Sequence, residues 1–223
     1  MDIRQAMTTR KSIRGFKPTR VPNDLITDIL YSASLSPSST NSQPWEFVVL
    51  TGKSLDMAKS INVEQALAGA EFSPNIPSQP YTGKYRERQI ELAKQVYGLM
   101  NIARDDRDGR LEWDLRGMRF FDAPAVILVC LDKAIYNDES HLPLFDAGIV
   151  TGSIVLLAVE HGLGSCIQGA TVQYSEALKP ALEIPLSKRL IASAAIGYPD
   201  WDFPANAVKS GRELLENLVM WRT

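Results

Sequence analysis

Apolar side chains recur every three or four residues in several stretches of the chain, which predicts amphipathic helices. The clearest stretch opens at Pro22 with Asn23 as its predicted cap, and its apolar face carries Leu25, Ile26, Ile29, Leu30 and Ala33. Similar spacing predicts helices over 2–9, 53–69, 86–104, 142–160 and 175–182. These segments account for most of the predicted regular structure.

Shorter apolar runs predict four strands, at 46–51, 125–131, 165–168 and 190–196. The run 125–131 is apolar on both faces, which is typical of a central strand. Loops are predicted at 34–44, which is rich in Ser and Pro, and at 73–85, which contains Pro74, Pro77 and Pro80; the charged residues 105–110 read as a hinge. Few strands, many helices and no internal repeat or linker predict one α+β domain over residues 1–223.

Composition excludes several classes of protein. A net charge of −2 argues against nucleic-acid binding, which needs a cationic surface. The first residues lack the apolar core of a signal peptide, and the longest apolar run, 149–159, is too short to span a bilayer, so we expect a cytoplasmic protein without membrane contact. The chain carries no glycine-rich dinucleotide fingerprint, and its two histidines, His141 and His161, lack metal-ligand spacing, so no metal is predicted.

Three smaller features refine this picture. Cys130 and Cys166 lie in apolar segments and are expected to be inert core thiols. His161 is expected near a helix C-terminus, where partial positive charge is favourable. The segment 205–223 ends in apolar residues, including Trp221, and is therefore expected to dock on another surface.

A basic cluster follows the first predicted helix, where Arg10, Lys11 and Arg14 flank Ser12. Arginine offers a rigid fork of donors that matches phosphate oxygens, and serine adds a neutral donor, so this cluster can clamp a phosphate. A solvated basic turn would have the same composition. Charge alone leaves both interpretations open.

Four segments together resemble the signatures of the nitroreductase family. Residues 10–16, RKSIRGF, resemble its first signature, and residues 36–45, SPSSTNSQPW, resemble its second. Residues 162–169, GLGSCIQG, resemble its glycine-rich strand, and residues 195–199, AIGYP, with Lys209 and Arg212 resemble its closing segment. The four occur in the family's order and span nearly the whole chain.

This resemblance implies a nitroreductase-like α+β fold, in which helices flank a central, mostly antiparallel sheet and two chains form an intertwined homodimer. Residues 70–120 would be a variable insertion on the substrate side, similar to that of a subgroup associated with nitrobenzoate reduction. Residues 205–223 would dock on the partner subunit, and Trp45 would serve core or interface packing.

The resemblance also implies a noncovalent, tightly bound FMN. Arg10 and Ser12 would bind its phosphate, Arg14 would reach its pyrimidine edge, and backbone N–H groups at Gln168 and Gly169 would face its N5 atom. The loop at 37–41 would reach the FMN of the opposite subunit, although its Ser and Asn residues also suit ordinary turn caps. The full predicted set is Arg10, Lys11, Ser12, Arg14, Pro37, Ser38, Ser39, Asn41, Gln168, Gly169, Lys209 and Arg212.

The implied activity is ping-pong reduction of a nitroaromatic or quinone acceptor, with NADPH or NADH as the electron donor. No catalytic side chain is assigned, because the flavin is the reactive group. Quinone, enone or flavin reduction, and flavin carriage without turnover, remain alternatives. Arg116 and Arg119 could approach the flavin or substrate, or could pair with Asp114 or Asp122.

Overall fold

Four strands form one antiparallel sheet in the computed structural model, which describes residues 1–76, 79–137 and 140–222. The strands are β1 (Trp45–Thr51), β2 (Ala125–Asp132), β3 (Gly164–Gln168) and β4 (Lys188–Gly197). The helices of the described residues are α1 (Ile3–Thr9), α2 (Asn23–Ala33), α3 (Gly52–Leu67), α4 (Gly83–Leu99), α5 (Arg107–Met118), α6 (Leu142–Glu160) and α7 (Ser175–Ala181). The predicted α+β class and antiparallel sheet are confirmed.

The sheet order is β1-β2-β4-β3, and every neighbouring pair is antiparallel. Strand β2 lies between β1 and β4, and its residues 125–131 are buried on both faces, as its unbroken apolar run predicts. Alternate β2 residues therefore serve two cores. Ile127 packs in one core with α2 and α6, and Leu128 packs in the other with α3 and α7.

Two sequence expectations about where helices begin were wrong. Asn23 does not cap α2: Pro22 is the cap residue, with no side-chain hydrogen bond, and the Asn23 Oδ1 atom accepts from Arg20 at 3.3 Å. The segment at 105–110 is not a hinge throughout, because α5 begins at Arg107, and the carboxylate of Asp106 accepts the Gly109 N–H at 2.9 Å. An N-cap aspartate explains why a charged stretch opens a helix.

The helix predicted over 86–104 is α4, which begins at Gly83 and ends at Leu99. It ends early because the chain turns through Asn101, whose φ of 54° lies in the left-handed region. The predicted irregular segment is therefore shorter than 73–85. Pro77, one of the three prolines on which that prediction rests, lies outside the described residues.

Helix α6 crosses the sheet and contacts all four strands. Its 19 residues have a mean hydropathy of 2.0 over the most apolar 18, so among the described helices it alone meets the length and composition of a membrane span. The apolar helix is therefore longer than the run 149–159, which by itself is too short to span a bilayer. Val150, Ile154 and Ala158 are fully buried in the core, whereas Leu142 and Phe145, at its N-terminal end, are 57% and 68% exposed.

The C-terminal segment is largely exposed within one chain. Leu215, Met220 and Trp221 are 72%, 75% and 85% exposed, and an ion pair between Arg88 of α4 and Glu213 holds the segment beside α4. Apolar side chains left in water need another surface to cover them. The expectation that this segment docks on a partner subunit, like the role assigned to residues 70–120, stays a prediction.

Candidate functional site

The basic segment at residues 10–14 lies directly beside strand β3. Ser12 and Ser165 form a parallel bridge, and the Ile13 N–H donates to the Ser165 carbonyl at 2.9 Å. Gly164 permits this approach, since a Cβ atom there would lie 2.5 Å from Cγ1 of Ile13. Strand β3 therefore fixes the position of the backbone that carries Ser12 and its cationic neighbours.

The cations of this segment have no carboxylate partner among the residues that the structure describes. Arg10, Lys11 and Arg14 are each partly buried, and none of them forms an ion pair with a described residue. Burial lowers the pKa of the Lys11 ammonium, and the nearby charges of Arg14 and Lys209 lower it further. Uncompensated like charges held together attract an anion. The structure thus brings together Arg10, Lys11, Ser12, Arg14 and Lys209.

Asn206, which the sequence did not single out, holds this segment in place. Its side chain is 2% exposed; Oδ1 accepts the Arg14 N–H at 2.7 Å, and Nδ2 donates to the carbonyls of Gly15 at 2.8 Å and Asp200 at 2.7 Å. The Asn206 carbonyl also accepts from Lys11 Nζ at 2.5 Å. A lone asparagine near a proline reads as a turn residue, so no local signal distinguishes it.

Gln168 and Gly169 lie at the end of β3, on the same strand that carries Ser165. The Gln168 Nε2 atom donates to the Gly117 carbonyl in α5 at 2.9 Å, and its Oε1 atom is buried without a hydrogen-bond partner in the described chain. Gly169 is exposed, and a Cβ there would meet no atom within 4 Å. The backbone at this strand end is therefore open to a ligand.

Arg116 and Arg119 both pair with Asp122, at 2.9 and 3.0 Å, so that one of the two sequence interpretations is confirmed. Asp114 forms no ion pair with either residue within the described chain. Arg116 also touches the basic segment, since its Nε donates to the Arg14 carbonyl at 3.5 Å and its guanidinium lies 4.4 Å from the ring of Phe203. Helix α5 therefore supports the segment from the outside.

The loop at residues 36–43 packs against helix α6. The Ser39 N–H donates to the carboxylate of Asp146, and the hydroxyls of Ser36 and Ser153 lie 2.7 Å apart. No hydrogen bond or ion pair among the described residues joins Pro37, Ser38, Ser39 or Asn41 to residues 10–14. One chain thus holds two separate parts of the predicted set.

Arg212 is also apart from the basic segment. Its Nη1 atom donates to the carbonyls of Ser210 and Gly211, at 3.2 and 2.8 Å, and the residue lines a groove along α4. Lys209 is near enough to Lys11 to lower its pKa. No hydrogen bond or ion pair among the described residues joins Arg212 to the basic segment, and its closing role stays a prediction.

The two thiols are buried, as predicted. Burial raises the pKa of Cys130 to about 12 and also raises that of Cys166, against the opposing charges of Arg14 and Arg10. A thiol needs its thiolate form to react. Cys166 is therefore a buried packing residue of β3 and does not act as a nucleophile.

The antiparallel sheet with its flanking helices, the basic segment beside β3 and the open strand end define an α+β protein with a candidate anion site. The chain belongs to the Nitroreductase family, whose sequence model matches residues 7–198. Among its relatives is a 4-nitrobenzoate reductase of Pseudomonas putida, 27% identical over 98% of this chain and 94% of the relative. A nitrobenzene nitroreductase of Ectopseudomonas oleovorans is 29% identical over 94% of this chain and 92% of the relative.

Solved structures show the same fold. The FMN and NADPH-dependent nitroreductase NfnB of a Sphigopyxis strain superposes with a TM-score of 0.93 at 27% identity, over 100% of both chains. The FMN-dependent NfnB of Mycobacterium smegmatis, solved with NADPH, gives a TM-score of 0.91 at 23% identity, over 99% of this chain and 97% of the other.

Proposed function

We propose that this chain is an FMN-dependent oxidoreductase that uses NADPH or NADH to reduce nitroaromatic compounds. The observation that carries the proposal is the cluster of Arg10, Lys11, Arg14 and Lys209, which is held by β3 and Asn206 and has no carboxylate partner in the described chain. A phosphate group supplies the missing negative charge. The relatives named for nitroaromatic reduction, which align over nearly the whole chain, support the substrate class.

The residues present fit FMN on physical grounds. The Ser12 hydroxyl and the Arg10 guanidinium offer hydrogen bonds and charge to a phosphate, which is the combination that phosphate sites use. Arg14 lies two residues beyond Ser12, and its backbone is held by Asn206 and Arg116. Its guanidinium would provide a cation for the pyrimidine edge of the flavin, where reduction accumulates negative charge. The open backbone at Gly169 admits a ring within hydrogen-bonding distance, since no side chain stands in the way.

Bound FMN supplies electron transfer from the nicotinamide to the nitro group, which is reduced to nitroso and then to hydroxylamine. The protein binds and orients the two reactants in turn against one open face, which makes the expected kinetics ping-pong. Arg116 keeps Arg14 in position through the Arg14 carbonyl. Lys209 closes the cluster, and Arg212 is proposed to join it in the assembled protein.

The site is proposed to be shared between the two subunits of a homodimer. The loop that carries Pro37, Ser38, Ser39 and Asn41 is hydrogen-bonded to α6 and, among the described residues, has no hydrogen bond or ion pair to the basic segment of its own chain. The Asn41 side chain is exposed and has no hydrogen bond within the described chain. The exposed apolar ends of α6 and of the C-terminal segment supply a surface for association. A cytoplasmic protein without nucleic-acid or membrane partners fits this proposal.

The phosphate site is tested by FMN affinity. Arg10→Ala should weaken FMN binding by about 1.5–3 kcal/mol, the value of a charge-assisted hydrogen bond, with little change in the stability of the apoprotein. Arg20→Ala is the matched control, because Arg20 is exposed and its side chain bonds only Asn23. Equal affinities for the two variants, measured by quenching of flavin fluorescence, would show that the cluster does not bind the cofactor.

The shared site is tested by mixing subunits. A heterodimer of Arg10→Ala and Asn41→Ala chains should contain one intact site and one site with both defects, so that mixing restores tight FMN binding. Exchange is checked by native mass spectrometry. Confirmed exchange without recovery of tight binding would place both residues in one subunit's own site and refute the shared architecture.

A further inference from the structure

The loop at residues 36–43 has an unusual backbone. Thr40, Asn41 and Gln43 have φ values of 50°, 57° and 44°, so three of four successive residues occupy the left-handed region without being glycine. Side chains disfavour that region, and residues remain in it only where the surroundings fix them. Something in the fold must therefore hold this loop in shape.

Two side chains of α6 supply that support. The carboxylate oxygens of Asp146 accept the Ser39 N–H at 3.2 and 3.3 Å, and the Ser153 hydroxyl meets the Ser36 hydroxyl at 2.7 Å. Asp146 and Ser153 are seven residues apart, which places them two turns apart on the same face of the helix. Asp146 and Ser153, on one face of α6, thus bind the loop at two points, Ser39 and Ser36.

Asp146 is a buried carboxylate in a mostly apolar helix, and its contact with the loop accounts for its presence there. The residue is 2% exposed and forms no ion pair with a described residue, although burying an unpaired carboxylate is costly. Within the described chain, the hydrogen bonds of its carboxylate both come from Ser39.

We infer that Asp146 is a positioning residue for the FMN site: it fixes the Ser39 amide and thereby presents Ser38 and Asn41 to the FMN of the partner subunit. This inference rests on the proposed function. It assigns to a buried residue of one chain an effect on the cofactor of the other. Asp146 itself contacts no cofactor.

Three variants separate positioning from general stability. Asp146→Ala removes the acceptor for the Ser39 N–H, whereas Asp146→Asn keeps an oxygen that can accept it. Thr151→Val is the matched control, since Thr151 is a buried polar residue of the same helix whose hydroxyl, among the described residues, bonds only the Ala147 carbonyl. All three are prepared both with and without FMN.

Hydrogen–deuterium exchange of the apoprotein gives the first readout, independent of activity. Asp146→Ala should speed exchange in the peptide covering residues 36–44 while the sheet stays protected, because one local hydrogen bond is lost. Asp146→Asn and Thr151→Val should leave that peptide unchanged. Faster exchange throughout the sheet, or none in the loop, would overturn the inference.

FMN affinity in mixed dimers gives the second readout. Asp146→Ala should weaken FMN binding about tenfold, the scale of one hydrogen bond to a charged group, and Asp146→Asn should restore most of the loss. Mixed with Arg10→Ala chains, Asp146→Ala chains should regain tight binding, as Asn41→Ala chains do. The defect then lies in the site of the other subunit.

The outcomes distinguish this inference from the proposal beneath it. If Asn41→Ala recovers on mixing and Asp146→Ala does not, Asp146 acts within its own chain and the inference fails while the shared site stands. If neither recovers, both fail. If Asp146→Ala does not fold, Ser153→Ala replaces it in the mixing test. Recovery of tight FMN binding on mixing with Arg10→Ala chains would support the inference that α6 side chains hold the loop, and no recovery would overturn that inference.

Discussion

Replacing Asn206 tests whether the geometry of the basic segment, and not its charge alone, sets FMN affinity. Asn206→Ala removes three side-chain hydrogen bonds, to the Arg14 N–H and to the carbonyls of Gly15 and Asp200. At roughly 1 kcal/mol for each neutral hydrogen bond, the free energy of unfolding of the apoprotein should fall by about 2–4 kcal/mol. The Lys11 and Arg14 charges are all retained.

FMN affinity should fall as well, because the Arg14 N–H and the Gly15 carbonyl lose their partners on the Asn206 side chain, so the backbone of the basic segment is no longer held in place. The Asn206 carbonyl that accepts from Lys11 is retained. Loss of one well-placed charged contact corresponds to roughly a tenfold to hundredfold rise in the dissociation constant. Asn206→Asp should be no better than alanine, since a carboxylate keeps the acceptor for Arg14 but sets negative charge against two carbonyl oxygens. Asn217→Ala is the control, as the Asn217 side chain is exposed and bonds only Glu213.

Urea denaturation of the apoprotein and titration with FMN measure the two effects separately. A large loss of stability with an unchanged dissociation constant would refute the reasoning, because the cations would then find the phosphate without Asn206. Unchanged values of both quantities would show that the hydrogen bonds of Asn206 are not formed in solution.

Three further predictions concern pH, kinetics and thiols. The pKa of Lys11 lies below its ordinary value, and the negative charge of a bound phosphate should raise it. FMN binding should therefore take up a proton, and FMN affinity should fall as pH rises through the lowered pKa. Calorimetry in buffers of different ionisation enthalpy measures this proton uptake, which Lys11→Met should abolish. Initial rates with varied NADPH and nitrobenzoate should give parallel double-reciprocal lines. Intersecting lines would exclude a mechanism in which the donor and the acceptor bind in turn to the same face of the flavin. Cys130 and Cys166 should resist alkylation until the protein is unfolded, since burial raises both pKa values; rapid labelling of the native protein would contradict this.

The sequence predicted the elements whose apolar pattern is continuous. Strand β2 reads as a central strand because its residues 125–131 form an unbroken apolar run that is buried on both faces, and α6 reads as a long helix because apolar residues dominate its sequence. Helix α5 was missed because its hydrophobic spacing is weak and its first residues are charged. Its start depends on one side chain, Asp106, whose capping role is visible only once the backbone is known.

The predicted site follows the same division between local and distant information. Arg10, Lys11, Ser12 and Arg14 were found because they are adjacent in sequence. Asn206 and Asp146 were missed because each acts on a segment more than 100 residues away, and no spacing rule connects such pairs. Residues that bind can be predicted from a motif, whereas residues that hold the binding segment in place require the fold.

The hydrogen bonds of Asn206 span most of the chain, and this separation has a consequence for synthesis. Gly15 and Asn206 are 191 residues apart, so the basic segment leaves the ribosome long before its clamp exists. At about 5–20 residues per second, the interval is on the order of 10–40 s. During that time the cations of the segment have no fixed arrangement and cannot hold a phosphate tightly. Cofactor capture should therefore be among the last events in the maturation of this protein, because Asn206 follows all four strands in the sequence.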